Sequence, residues 1–128
     1  MEKVITALQG HRVSRLTENS ELFHCIIDAI QEKKGDKIIS LDLKDIEEAV
    51  ADYFVVCEAG SNIQINAIAQ NIEERAARDC GERPYHVERG DTWTLVDFVN
   101  VVVHIFQHEQ RVFYNLESLW ADAHRAEH

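Results

Sequence analysis

Residues 93–120 read WTLVDFVNVVVHIFQHEQRVFYNLESLW: two apolar runs rich in β-branched residues, followed at once by a stretch with helical spacing. Asp97, Asn100 and His104 interrupt the two predicted strands, 92–97 and 100–107. A polar group in such a run must find a partner inside the fold or on another macromolecule, because leaving it buried and unpaired is costly. A two-residue turn at Phe98-Val99 would pair Asp97 with Asn100, Leu95 with Val102, and Trp93 with His104. Side-chain alternation then puts Trp93, Leu95, Asp97, Asn100, Val102, His104 and Phe106 on one face. Thr94, Val96, Val101, Val103 and Ile105 fall on the other. Phe98-Val99 is unusual chemistry for such a turn, which favours Gly or Asn. Beyond the strands, Val112, Phe113, Leu116 and Trp120 form the apolar stripe of a last helix, and Ala121–His128 reads as a frayed polar tail.

Upstream, Leu22, Phe23, Ile26, Ile27 and Ile30 recur at helical spacing after a Ser20 N-cap, and Gly35 can close the helix. Residues 37–43 read as a strand, and 44–51 as a polar connection with a helical turn around Ile46 to Val50. Residues 52–57, DYFVVC, have almost no polar interruption and fit a central strand covered on both faces. Ser61 and Gln64 have the spacing of a capping box. Ile65, Ile68, Ala69, Ile72 and Ala76 give the second helix its buried stripe, which Gly81 ends and Pro84 prevents from continuing. Tyr85 to Val87 is a short strand. The expected architecture is a single α/β domain with a mixed five-stranded sheet covered by helices. Its bounds are 19–122, with an N-terminal tail or loose helix at 1–18 and a C-terminal tail at 123–128.

With 23 acidic against 13 basic residues, the net charge of −10 disfavours a direct grip on nucleic-acid phosphates. An acidic surface suits a basic protein partner; it also simply keeps a protein soluble. No apolar run approaches the length of a membrane span, and no secretory signal is present, so the cytoplasm is expected. The three cysteines, Cys25, Cys57 and Cys80, have neither C-x-x-C spacing nor an even count, and read as small buried hydrophobes.

Candidate chemistry is sparse. Ala59-Gly60-Ser61 joins a strand to a helix, but one Gly and no Lys match no phosphate-binding motif. His104 and His108 are four apart, a spacing that brings side chains together on a helix and not on a strand. Asp42 stands alone on the first strand. Asp97 and His104 could form a hydrogen-bonded pair, with His104 satisfied by a carboxylate or a backbone carbonyl. An enzyme acting on a nucleotide, by nucleotidyl transfer or hydrolysis, would have to use Asp42, Ser61 and His104. Trp93, following Gly90-Asp91-Thr92, reads as a partly exposed interface anchor, or as core folded onto the last helix.

Several of these residues together resemble a known family. Asp52-Tyr53-Phe54-Val55-Val56-Cys57, with Ser61-Asn62-x-Gln64, looks like the first half of its signature. Trp93-x-Leu95-x-Asp97, Val101-Val102-Val103-His104-x-Phe106 and Arg111-x-Phe113-Tyr114-Asn115-Leu116-Glu117-x-Leu119-Trp120 look like the second. The pattern, spanning about residues 20–122, resembles the ribosomal silencing factors of the RsfS or Iojap family. That resemblance implies a nucleotidyltransferase-like fold without catalysis, metal or cofactor. It implies binding to the large ribosomal subunit through ribosomal protein L fourteen and a block on small-subunit joining. Separately, the sheet face carrying Val102 and Phe106, or the last helix, could pair two free copies into a homodimer. The resemblance places partner contacts at Trp93, Thr94, Leu95 and Asp97, and marks Asp52, Tyr53, Ser61, Asn62, Gln64, His104, Tyr114 and Trp120 as motif residues without an assigned role. The family usually has Ser-Gly-Thr or Thr-Gly-Thr where this chain has Glu58-Ala59-Gly60. It has a basic residue at Ile63 and Tyr-Gly at Phe98-Val99.

Overall fold

The computed structural model describes residues 20–47, 49, 51–121 and 123–128. The tail or loose helix expected at 1–18 lies outside the described residues, as do Glu48 and Val50 of the expected turn. Helix α1, Glu21–Glu32, starts where Ser20 Oγ accepts the Phe23 N–H at 3.1 Å. It buries Leu22, Phe23, Ile26, Ile27 and Ile30, the stripe read from its spacing. It ends in paired bonds from the Lys34 and Gly35 N–H groups to the Gln31 and Ile30 carbonyls, both at 3.0 Å. The left-handed residue of this cap is Lys34 (φ 61°) and not Gly35. Gly35 serves close packing instead: a Cβ there would sit 2.3 Å from Ile30 Cγ2 and 3.3 Å from Ile68 Cδ1.

Strand β1, Asp36–Asp42, runs antiparallel to β2, Tyr53–Ala59, and every residue of β2 is buried, as its unbroken apolar run requires. Helix α2, Asn62–Arg75, buries Ile65, Ile68, Ala69 and Ile72 and continues as a π-helical turn, Ala76–Cys80. Gly81 closes that turn at φ 64°. Strands β3, His86–Glu88, β4, Trp93–Asp97, and β5, Val101–Gln107, follow. The expected last helix is broken by Asn115 (φ 47°) into α3, His108–Tyr114, and α4, Leu116–Leu119. Val112, placed in its apolar stripe by spacing, is 64% exposed.

The sheet has six strands in the order β3-β4-β5-β2-β1-β6, with β2 and β5 parallel and all other neighbours antiparallel. The additional strand is β6, His124–Glu127, formed by the segment expected to fray. It pairs with the outer edge of β1, Ile39 opposite Glu127. His128 fastens its end, donating its N–H to the Ile38 carbonyl at 2.9 Å while its Nε2 bonds Ser40 Oγ at 2.8 Å. HRAE has little strand propensity; the unpaired backbone groups of β1 supply what its side chains do not.

The β4–β5 register also differs from expectation. Trp93 lies opposite Phe106, Leu95 opposite His104 and Asp97 opposite Val102. The pairing is shifted by two residues, so every side chain keeps its predicted face. The shift arises at the turn. The Phe98 N–H reaches the Val101 carbonyl at 2.8 Å, and the Asn100 N–H reaches the Phe98 carbonyl at 3.0 Å, with Val99 between them at φ 77°. Positive φ at a β-branched residue costs on the order of 1–3 kcal/mol. Val99→Gly is therefore expected to raise unfolding free energy by about 1 kcal/mol once glycine's added chain entropy is subtracted. Urea titration checks it; an unchanged midpoint would mean that the turn stores no strain.

Two cores flank the sheet. Helices α1 and α2 pack on one face with Tyr53, Val55, Cys57, Val96, Val101, Val103 and Ile105. The opposite face carries Ile39, Leu41, Phe54, Leu95 and Val102, with Trp120 and Ala123 packed against them. This second face also bears one row across three strands, Glu58, Phe106 and Trp93, set by the register.

Candidate functional site

The second face of the sheet places an aromatic group at its edge. Trp93 opens β4 in a fixed position because the preceding loop is tied down. Thr94 Oγ1 bonds both the N–H and the carbonyl of Gly90 at 3.2 Å, and the Gln107 N–H reaches the Thr92 carbonyl at 2.8 Å. A Cβ on Gly90 would meet the Trp93 carbonyl oxygen at 2.6 Å, so only glycine lets the loop approach this closely. The half-buried indole stacks on Phe106 (centroids 4.9 Å, 26°) and lies against Tyr114 of α3 (4.7 Å, 44°). Tyr114 is 46% exposed. One side of Trp93 thus rests on the fold, and the rest reaches solvent beside Tyr114.

The other residues expected at the partner surface do not reach it. Thr94, Leu95 and Asp97 are buried, Thr94 on the helix-covered face. Their work is internal. Thr94 holds the loop, Leu95 packs the second core, and Asp97 Oδ1 accepts the Val99 N–H at 2.7 Å. Val102 and Phe106, on the second face of the sheet, are buried within one copy and offer no surface for pairing two.

His104 is bonded differently from expectation. Its Nδ1 accepts the indole N–H of Trp93 at 3.2 Å, and its ring lies 4.8 Å from Phe54. No hydrogen bond joins it to Asp97: His104 Nε2 and Asp97 Oδ2 are both buried without a hydrogen-bond partner among the described residues. A buried unsatisfied donor or acceptor costs about 1–3 kcal/mol. Burial pushes the imidazole pKa down to about 3, so His104 is neutral at any physiological pH. Burial likewise raises the Asp97 carboxyl above its ordinary value.

Sequence reasoning missed a second polar group on this face. Glu58, where the resembling family usually has a hydroxyl residue, is buried at the end of β2. Its Oε2 pairs with His108 Nδ1 at 3.0 Å, and its Oε1 with Arg111 Nη1 at 3.4 Å. Arg111 is also buried and donates to the Lys37 carbonyl at 2.7 Å. The Glu58–Arg111 pair therefore ties α3 to β2 and β1 and lines a groove of about 1070 Å³, with Lys37, Ser118 and Arg125. The signal was available: a carboxylate ending a buried strand demands a cation, and the next helix supplies one.

The residues an enzyme would need are not brought together. Asp42 is paired with Lys44 at 3.0 Å, and that ammonium sits 4.1 Å over the Tyr53 ring. Asp42 lies opposite Tyr53 at one end of β2, while Ser61 follows the other end. At about 3.3 Å per residue they stand roughly 20 Å or more apart. Ser61 Oγ caps α2 by accepting the Gln64 N–H at 3.1 Å. Gln64 departs from the capping box in reaching back to the Gly60 N–H (2.8 Å) rather than to that of Ser61. It also bonds the Lys33 and Lys34 carbonyls, joining the end of α1 to the start of α2. The Gly60 N–H and the Ser61 hydroxyl are thus both engaged within the fold. Among the described residues, no three His, Cys, Asp or Glu side chains are placed to hold a metal ion.

The remaining motif residues are largely architectural. Tyr53 is buried against Phe23 at 4.9 Å. The Asp52 N–H and the Tyr53 N–H both bond the Asn100 carbonyl, at 2.8 and 3.1 Å, anchoring β2 to the β4–β5 turn. Trp120 packs edge-on against Phe54 at 5.9 Å. Asn62 sits exposed in the first turn of α2.

Comparison with known proteins agrees with this architecture. Residues 17–128 match the family described as "Ribosomal silencing factor during starvation". The chain is 36% identical to ribosomal silencing factor RsfS of Halalkalibacterium halodurans over 107 residues, covering 82% of this chain and 90% of that protein. Identity to RsfS of Bacillus subtilis is 41% over 97 residues, 74% of this chain and 80% of that one. A crystal structure of a Chromobacterium violaceum protein superposes with a TM-score of 0.73 at 29% identity, covering 79% of this chain and 84% of that one. The shared α/β fold, and a family match spanning residues 17–128, lead to one conclusion: the chain belongs to the RsfS family of ribosomal silencing factors.

Proposed function

We propose that the protein binds the large ribosomal subunit through ribosomal protein L fourteen and, seated there, excludes the small subunit and lowers translation. The observation that carries this reading is the Trp93–Tyr114 pair, a large aromatic surface held rigid from below and open from above. Interfaces concentrate their energy in such anchors. The net charge of −10 complements a basic partner and speeds encounter. The mechanism requires no chemistry, because occupancy alone obstructs the incoming subunit. Thr94, Leu95 and Asp97 contribute by fixing the strand that presents Trp93. Among the described residues no helix is long and apolar enough to cross a membrane, and the proposed site of action is the cytoplasm, on ribosomes. Val112 and Tyr114 are also the exposed side chains through which two free copies would pair.

Sedimentation of the purified protein with separated subunits tests the reading. Co-migration with large subunits and fewer joined ribosomes are expected. Trp93→Ala should weaken large-subunit binding about 30-fold, equivalent to about 2 kcal/mol, with an unchanged circular dichroism spectrum. Affinity should also fall as salt is added. A chain that ignores large subunits at low ionic strength sinks the proposal.

A further inference from the structure

We propose that His104 is a positioning residue for the docking surface: by accepting the Trp93 indole N–H it fixes the orientation in which that ring meets the partner. This inference rests on the docking reading above and assigns a role to a residue with no surface of its own. Stacking on Phe106 and Tyr114 restrains the tilt of the indole, but stacked rings slide and rotate over one another at little cost. The directional contact is the N–H···Nδ1 bond of 3.2 Å. For Nδ1 to accept, the imidazole proton must sit on Nε2. That nitrogen is buried with no hydrogen-bond partner among the described residues.

The ring therefore forgoes one hydrogen bond in a place where an apolar ring would forgo none. Its surroundings are Leu95 opposite on β4, Phe54 at 4.8 Å and Phe106 at 6.1 Å. A phenyl group would suit those neighbours and leave no donor stranded. What a phenyl group lacks is an acceptor for the indole proton. The polarity of residue 104 thus works against the packing of the core and in favour of a fixed Trp93.

His104→Phe and His104→Asn in the full chain separate these roles. Three readouts are compared with the unaltered protein: the denaturation midpoint, the indole N–H resonances by nitrogen-edited NMR, and sedimentation with large subunits. Loss of one indole signal in Trp93→Phe assigns it. In His104→Phe the midpoint should hold or rise, the Trp93 indole proton should exchange with water faster, and subunit binding should weaken about tenfold, the size of one directed hydrogen bond. His104→Asn, whose side-chain oxygen can take the place of Nδ1, should recover part of both the protection and the binding. A His104→Phe protein that binds as tightly as the original overturns the inference, and so does one that fails to fold while His104→Asn folds without a protected indole. If the unaltered chain binds no large subunits, the docking reading fails; the indole resonances then still decide whether His104 holds the ring.

Discussion

Arg111→Met is expected to lower the unfolding free energy by about 3 kcal/mol or more, because it leaves the Glu58 carboxylate buried without its buried partner. Both side chains are almost enclosed, at 8% and 11% exposure. The second partner of Glu58, His108, is 61% exposed, so its pairing is shared with water and replaces little. The Lys37 carbonyl also loses its donor, which detaches α3 from β1. The Glu58→Met, Arg111→Met double variant should recover most of the loss, since two apolar chains strand no charge. A double-mutant cycle in urea measures both effects. If the single variant loses less than about 0.5 kcal/mol, the value of a surface pair, the carboxylate is solvated and the cluster is not a structural tie.

The second large effect is acid sensitivity above the usual carboxylate range. His104 titrates near its ordinary value of 6.5 in the unfolded chain and near 3 in the folded one. Between those values the unfolded state holds the extra proton, so stability falls as pH falls. Each pH unit inside the window costs about 1.4 kcal/mol, and the loss from pH 6.5 to 4.5 should be about 2.5 kcal/mol. Asp97 acts in the opposite sense. Its raised folded pKa means that the native state takes up a proton first, which restores some stability lower on the scale. Glu32 and Asp79, lowered by their hydrogen bonds to Asn71 and Arg78 respectively, add losses only below the ordinary carboxylate range. Denaturation midpoints from pH 8 to 4 for the unaltered chain and His104→Phe isolate the imidazole. The limb above the carboxylates should flatten in the variant; two parallel curves would show that His104 is not the group responsible.

Much of this fold could be read from residue spacing. The stripes of α1 and α2 and the buried run of β2 each satisfy one simple period, and tertiary packing only confirms them. The misjudged places are those where a partner element decides. His124–Glu127 has no strand signature of its own, and becomes β6 because β1 offers an unpaired edge. The β4–β5 register follows from Val99 at positive φ, a conformation its side chain disfavours and spacing cannot reveal. Face assignments survived because a two-residue shift preserves alternation. At the candidate site, the partial exposure of Trp93 was legible from its place after a Gly-containing turn, whereas the burial of Thr94, Leu95 and Asp97 was not, because it depends on which side chains the sheet covers. Glu58 and Arg111 stand far apart in sequence and meet only because β2 and β5 run parallel.

That parallel pair has a dynamic consequence. β2 lies inside the sheet with both faces covered, whereas α3 and α4 rest on the sheet through a handful of side chains. Backbone amides of β2 and β5 should be the last to trade hydrogen for deuterium, and those of α3 and α4 among the first. Any opening of α3 has to break the Arg111 contacts with Glu58 and Lys37, and it leaves the paired strands beneath it closed.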